Sequence, residues 1–163
     1  LLAGGSRAYA TVMAPLAANN IYDQQYQMHR FIQDYYHAPV AVNDLGWVSY
    51  QNDQYVLDLR GLASAEALRL REVRHDSGWM DELAGKHNVR MALIYDTWFP
   101  ALPEGWIPVA KLYLDRKPIT PAHNVVTFYA LDEQTATQVR QLLETFSHGL
   151  PPGARLEMSN TGA

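Results

Sequence analysis

Three acidic side chains that end or follow apolar runs are the residues of this sequence best placed to do chemistry. Asp44 comes directly after the run that ends at Asn43, Asp58 lies near the end of a second run, and Asp96 follows a third. If these runs are neighbouring parallel strands, the three residues share the sheet edge where open α/β sheets bind ligands. Converging carboxylates bind sugar hydroxyls or a metal ion, or act as acid and base. Alternatively, the acids have structural roles: Asp44 makes an Asx turn, Asp96 caps a loop, and Asp58 forms an ion pair with a neighbouring arginine.

Basic and aromatic residues form a second group of candidates. A local basic stretch stands out in an otherwise acidic chain: Arg60, Arg69, Arg71, Arg74 and His75. It is either a solvated helix face or a surface that meets phosphate groups. Trp98 lies in a Pro-rich loop, where aromatic rings stack on a sugar, lie at a membrane interface or pack the loop onto the sheet. The candidate ligand-binding residues are therefore Asn43, Asp44, Asp58, Arg60, Asp96 and Trp98.

Several kinds of site find no support in the sequence. The chain has no cysteine, which excludes thiol catalysis and Cys-based zinc sites, and its six histidines show no metal-ligand spacing. The turn after the first apolar run has one glycine, Gly46, between the bulky Leu45 and Trp47, so cofactor phosphates find no close approach. P-loop and nucleophile-elbow motifs are missing too. We predict no catalytic residue, no metal ligand and no cofactor.

Composition favours one domain that does not bind nucleic acid. The 163 residues are 48% hydrophobic, which suits a single core, and the net charge of −4 gives no electrostatic footprint for nucleic acid. Residues 1–18 are small and apolar, but Arg7 and Pro15 make them too broken to span a bilayer. We predict an N-terminal arm at 1–19, either a packed extension or the exit of a preceding transmembrane helix, and a single α/β domain at 20–163.

Helices and strands alternate in the predicted order of elements. A helix is expected from an N-cap at Asn20 to Pro39, because apolar residues recur there at helical spacing. Further helices are expected from a Ser64 cap to about Arg74, from Asp76 or Ser77 to Lys86, and from an Asp132 cap to Gly149. Strands are predicted at 40–43, 55–59, 90–96, 109–114, 124–131 and 154–158. This order predicts an α/β fold, a three-layer sandwich with a mainly parallel, Rossmann-like sheet and an antiparallel extension in the C-terminal third.

Four segments carry a resemblance to a known class of proteins. They read LAANNIYDQQYQMHRFIQDYY, VAVNDLGWVSY, YVLDLRGLAS and RMALIYDTWF, and the likeness covers residues 16–131. Together they resemble the soluble C-terminal domain of bacterial multi-spanning membrane glycosyltransferase-like proteins, which depend on polyprenyl-phosphate sugars (the GT-C type). The positions that match its landmarks are Asn43, Asp44, Gly46, Asp58, Gly61 and Asp96.

The resemblance implies a binding domain without catalytic residues of its own. In such enzymes an acidic residue in an early loop of the transmembrane part activates the acceptor, so no catalytic residue carries over to this chain. The domain would lie on the periplasmic side of the inner membrane. It would assist the binding of a glycan or lipid-linked sugar, or cap its own upstream transmembrane domain.

Two other functions remain open on the sequence. A free-standing soluble α/β enzyme, a hydrolase or sugar-modifying enzyme, would use Asp44 and Asp96, and it would lose activity in Asp44→Asn. An interaction or scaffold module would tolerate replacement of the strand-end acids without consequence for any ligand.

Overall fold

Helices alternate with the strands of one open sheet, and the computed structural model describes residues 3–160. The helices are α1 (Ala3–Asp23), α2 (Gln25–Phe31) with a π-helical turn (Ile32–Tyr36), α3 (Gly46–Ser49), α4 (Ala65–Val73), α5 (Gly78–Lys86) and α6 (Glu133–Ser147). The strands are β1 (Val40–Val42), β2 (Val56–Asp58), β3 (Met91–Ile94), β4 (Ile107–Leu114), β5 (Val125–Ala130) and β6 (Ala154–Met158). A 3-10 turn (Asp96–Trp98) follows β3.

The sheet has a parallel half and an antiparallel half. Its strand order is β2-β1-β3-β5-β4-β6, with β1 parallel to both β2 and β3. The pairs β3–β5, β5–β4 and β4–β6 are antiparallel. The α/β class is therefore confirmed, but within the described residues the sheet is only partly parallel. The reason is that no α-helix lies between β3, β4 and β5 along the chain, and a parallel pairing needs such a crossover.

The central strand β3 is buried on both faces of the sheet. Met91 and Leu93 contact one core cluster, whereas Ala92 and Ile94 contact another. This alternation follows from the two-residue period of a strand, and burial on both faces explains the near-continuous apolar character of the segment. The strand ends of the parallel half therefore lie between two packed surfaces.

Different helices close the two clusters. In the first, Phe31 of α2 meets Phe128 of β5 and Phe146 of α6, with ring centroids 5.5 and 5.2 Å apart. In the second, α5 contributes the buried residues Trp79 and Leu83. Aromatic pairs at these distances add packing energy beyond the apolar area that they bury. The helices thus fix the loops at both ends of the strands.

Helix starts follow the predicted capping residues in two of three cases. The Ser64 side chain accepts from the Ala67 N–H at the start of α4, and the Asp132 side chain accepts from Thr135 at the start of α6. The predicted cap at Asn20 is wrong, because α1 passes through this residue. Its Oδ1 instead accepts from the Ile119 N–H at 2.7 Å.

The first helix crosses the predicted boundary between arm and domain. Helix α1 continues through residue 19 to Asp23, and residues 1 and 2 of the predicted arm lie outside the described residues. The division at residue 19 stays a prediction. In residues 3–160, no helix combines the length and the apolar character needed to cross a membrane.

Candidate ligand-binding site

Asn43 joins the ends of β1 and β3. Its side chain is buried, and its Oδ1 accepts from the backbone N–H of Tyr95 at 2.7 Å. Its Nδ2 has no hydrogen-bond partner among the described residues. A buried amide that lacks one partner is costly. Asn43 therefore holds the sheet edge together and leaves one unused donor there.

Asp58 has a structural role in the turn after β2. Its carboxylate is buried and accepts from the backbone N–H groups of Arg60 at 2.9 Å and Ala63 at 2.6 Å. The alternative of an ion pair with a neighbouring arginine is wrong, because the backbone of the turn supplies both donors. Gly61 completes the turn with a φ of +85°, which glycine adopts without strain. Asp58 is thereby enclosed in its own loop.

Asp96 is held by two hydroxyl groups of β5. Thr127 donates to its Oδ2 at 2.9 Å and Tyr129 donates to its Oδ1 at 3.1 Å. Burial, and then the neighbouring Asp96 charge, raise the pKa of the Tyr129 phenol, so it stays protonated and able to donate. A pocket of about 250 Å³ lies beside Asp96 and includes Lys111 and His123. Both oxygens of Asp96 already have protein donors.

Asp44 is the least engaged of the three acids. It is half-buried, and its described hydrogen bond comes from Gln25 Nε2 at 3.4 Å, which is long for such a bond. The Oε1 of Gln25 has no partner among the described residues. A Cβ at Gly46 would approach Asp44 Oδ1 to 3.1 Å, so glycine leaves room for the carboxylate. Asp44 therefore retains polar capacity toward a ligand, whereas the unpaired oxygen of Gln25 is buried.

Four aromatic residues beside Asp44 form what we name the aromatic surface: Tyr22, Tyr26, Trp47 and Tyr50. Tyr22 stacks on Tyr26 with centroids 5.3 Å apart, and Tyr26 meets the edge of Trp47 at 5.5 Å. Trp47 in turn contacts Tyr50 at 5.3 Å. Tyr22, Trp47 and Tyr50 are 49%, 38% and 54% exposed, so these rings are not used to build the core.

Two shallow grooves meet at Trp47. One, of about 350 Å³, lies between Trp47 and the end of α1, and it is lined by Ala18, Ile21 and two tyrosines of the aromatic surface. The other, of about 330 Å³, lies between Trp47 and Tyr50. Trp47 lines both grooves and is partly exposed, which suits a platform for a flat apolar ligand face.

Arg60 and Trp98 meet on the other side of the sheet edge. The guanidinium carbon of Arg60 lies 5.1 Å from the Trp98 ring centroid, a cation–π contact. Trp98 is half-buried and packs against both core clusters, and its ring meets that of Tyr95 at an interplanar angle of 60°. The two predicted residues are therefore together.

A buried polar network supports the site from below. The Tyr95 hydroxyl donates to Gln24 Oε1 at 2.7 Å, and Gln24 Nε2 donates to the carbonyl of His123 at 3.1 Å. Burial, and then the charge of Asp44, raise the pKa of Tyr95. The network links the junction of α1 and α2, the residue after β3 and the loop before β5.

Sequence reasoning missed several of these residues. The buried glutamines Gln24 and Gln25 gave no signal, because nothing in the pattern of a helix shows which polar residue it buries against a strand end. Tyr22 and Tyr26 did give one: a spacing of four places both rings on the same helix face. The six candidates do not form one cluster, and in residues 3–160 no group of three or more His, Asp or Glu side chains has metal-ligand geometry.

Fold and site thus define a mixed α/β domain whose sheet edge carries polar and aromatic side chains. Residues 19–129 match the model of a family described as a domain of unknown function (DUF8728), and the chain belongs to this family. No curated protein and no solved structure matches the chain.

Proposed function

We propose that this chain is a non-catalytic, glycan-binding domain of a membrane glycosyltransferase-like protein, on the periplasmic side of the inner membrane. It assists the binding of a glycan or of the sugar of a lipid-linked donor. The observation that carries the proposal is the aromatic surface beside the Asp44–Gln25 pair. The resemblance of the sequence segments supplies the class of parent protein.

The side chains around Asp44 have the chemistry that a sugar ring needs. One face of a pyranose is rich in C–H groups and packs on an aromatic ring such as Trp47. Its hydroxyls need hydrogen-bond acceptors, which the half-buried Asp44 carboxylate supplies, and the Gln25 amide holds this carboxylate by a hydrogen bond. Trp47 follows Asp44 by three residues, and Gln25 precedes Tyr26 on α2. Stacking and hydrogen bonding are therefore available side by side.

The hydrogen bonds that Asp58 and Asp96 already make favour a binding function over a catalytic one. A catalytic acid–base pair needs two carboxyl groups that reach one substrate. Asp58 is enclosed by backbone donors, and Asp96 accepts from two hydroxyls on another face of the sheet. Asp44 is thus left without a second carboxylate, which disfavours the alternative of an enzyme that uses Asp44 with Asp96.

A pair of tyrosines offers a matched test of the proposed site. Tyr50 and Tyr55 are both exposed, at 54% and 43%, but only Tyr50 belongs to the aromatic surface. Isothermal titration with neutral trisaccharides should show that Trp47→Ala and Tyr50→Ala weaken binding, each by about fivefold or more, since an aromatic contact contributes about 1 kcal/mol. Tyr55→Ala should bind like the parent chain. Equal affinities in all variants would count against the site.

The exposed apolar face of α1 favours a second candidate function, the capping of the upstream transmembrane domain. Tyr9, Val12 and Leu16 lie at helical spacing and are 68%, 72% and 46% exposed. Such a face buries apolar area when it meets a partner. Replacing Val12 and Leu16 with Ser should then release the domain from the membrane part in co-purification, while trisaccharide affinity stays unchanged.

We further propose that the fold is a three-layer sandwich whose parallel half is Rossmann-like. The support is that α2 and α6 pack on one core cluster and α4 and α5 on or beside the other. An experimental structure that places all four helices on one face of the sheet would contradict it.

A further inference from the structure

A further pocket lies between α4, α5 and the loop after β3. It has a volume of about 210 Å³, and its walls include Arg71, Arg74, His75, Asp76, Ser77 and Trp98. We name it the arginine pocket. Three residues of the basic stretch noted in the sequence line this pocket, and none of them belongs to the proposed glycan site. It lies on the side of the sheet that α4 and α5 cover, whereas the aromatic surface lies beside α2.

The charges in the arginine pocket are not all compensated. Arg74 pairs with Asp76 at 2.7 Å and with Glu82 at 2.9 Å, so its charge is balanced. Arg71 donates from Nη1 to the carbonyl of Arg60 and, among the described residues, forms no ion pair. Arg71 is half-buried and lines the pocket, and the other N–H groups of its guanidinium have no hydrogen-bond partner among the described residues and can serve an anion.

Further groups in the arginine pocket suit an anionic ligand. The side chain of Ser77 makes no capping hydrogen bond, although this residue directly precedes α5. Asp76 already accepts from the Gly78 N–H, so the helix start is occupied and the hydroxyl is the donor that remains. Trp98, whose ring stacks with Arg60, supplies an apolar wall. A guanidinium, a hydroxyl and an indole together favour a phosphate group that carries an organic substituent.

We propose that the arginine pocket binds a phosphate ester, with Arg71 and Ser77 on the phosphate and the substituent against Trp98. The inference goes beyond the proposed glycan site and does not rest on it. The ester has two possible sources, a soluble sugar phosphate or the headgroup of a phospholipid. Both have the same anionic group, and the experiment separates them.

The test is an NMR titration of the full chain with glucose 1-phosphate, alongside sedimentation with phosphatidylglycerol and phosphatidylcholine vesicles. We expect shifts at the Ser77 amide and the Trp98 indole. Arg71→Gln should weaken binding by about tenfold or more, because it removes a charge-assisted hydrogen bond. Arg69→Gln is the matched control, since Arg69 is exposed on the same helix and does not line the pocket.

The two arms assign the source, and either positive arm supports the site. Glucose 1-phosphate binding without vesicle binding indicates a soluble ester, and Arg71-dependent binding to phosphatidylglycerol alone indicates a headgroup. The proposal is overturned if neither probe binds, or if the Gln variants of Arg69 and Arg71 bind equally. If Arg71→Gln does not fold, Arg71→Lys replaces it, because lysine keeps the charge without the planar fork. An affinity below that of the parent chain then supports the site, and an unchanged affinity overturns it.

Discussion

Asp44 and Asp96 follow neighbouring parallel strands, yet their partners lie on opposite faces of the sheet. Asp44 accepts from Gln25 of α2, whereas Asp96 accepts from Thr127 and Tyr129 of β5. The side chains of α2 pack on the same cluster as Leu93, and Tyr129 packs against the other cluster. The two carboxylates therefore have different surroundings: both oxygens of Asp96 have protein donors, whereas Asp44 has one long hydrogen bond.

The same substitution at both acids should separate these roles. Asp96→Asn should lower the free energy of unfolding by about 1.5 kcal/mol or more, because two hydroxyls lose a charged acceptor. Asp44→Asn should change it by less than about 0.5 kcal/mol, since its hydrogen bond is long and the site is half-exposed. Urea denaturation followed by circular dichroism measures both. A larger loss in Asp44→Asn would reverse the assignment.

Asp58→Ala should destabilise the chain without touching a binding site. It leaves the N–H groups of Arg60 and Ala63 without their acceptor in a buried turn, which costs about 1–3 kcal/mol. Asp53→Ala is the matched control at an exposed position of the preceding loop, with an expected change within about 0.5 kcal/mol. Chemical denaturation of both variants tests this, and equal stabilities would contradict a structural role for Asp58.

Two glycines should respond to alanine in opposite directions. At Gly61, φ is +85° and a Cβ would lie 2.7 Å from the backbone of Leu68, so Gly61→Ala should cost about 1–3 kcal/mol. At Gly85, inside α5, a Cβ meets nothing within 4 Å, and Gly85→Ala should stabilise by about 0.5–1 kcal/mol. Thermal unfolding measures both signs, and a stable Gly61→Ala would disprove the turn geometry.

Stability should fall at alkaline pH partly through Tyr36. Burial, with the nearby Asp132 charge, raises the pKa of Tyr36 from 10.0 to about 12. The neutral phenol is therefore favoured in the folded state, so its contribution is complete below pH 10 and is lost as the pH rises to about 12. Tyr36→Phe should show a smaller loss of unfolding free energy across this window. Identical pH profiles of variant and parent would contradict the assignment.

The strands and the helix caps at Ser64 and Asp132 were predictable because each rests on a local pattern. The antiparallel half was partly predictable, since β4 and β5 lack an intervening helix. Partners of the strand-end acids were not predictable: Gln25 lies 19 residues before Asp44, and Thr127 lies 31 residues after Asp96. Such contacts depend on which helix covers which face, and no local period encodes that choice.

The glycines of the NDLG and DLRG turns illustrate the same limit. Gly61 has a φ of +85°, whereas at Gly46 the constraint is the close approach of the Asp44 carboxylate. Both turns look alike in sequence. Only the folded structure shows that glycine is needed at Gly61 for its backbone angle and at Gly46 for the space it leaves to a side chain.

The most direct test of the glycan site is the indole N–H signal of Trp47 during titration with maltotriose, chitotriose and mannotriose. The chain has four tryptophans, and Trp106 is an internal control because its buried indole donates to Asp81 at 2.7 Å. We predict that at least one trisaccharide shifts the Trp47 signal, together with the amides of Asp44 and Tyr50, and leaves Trp106 unchanged. Saturating sugar that shifts none of these signals, or shifts Trp106 as strongly as Trp47, would contradict the account.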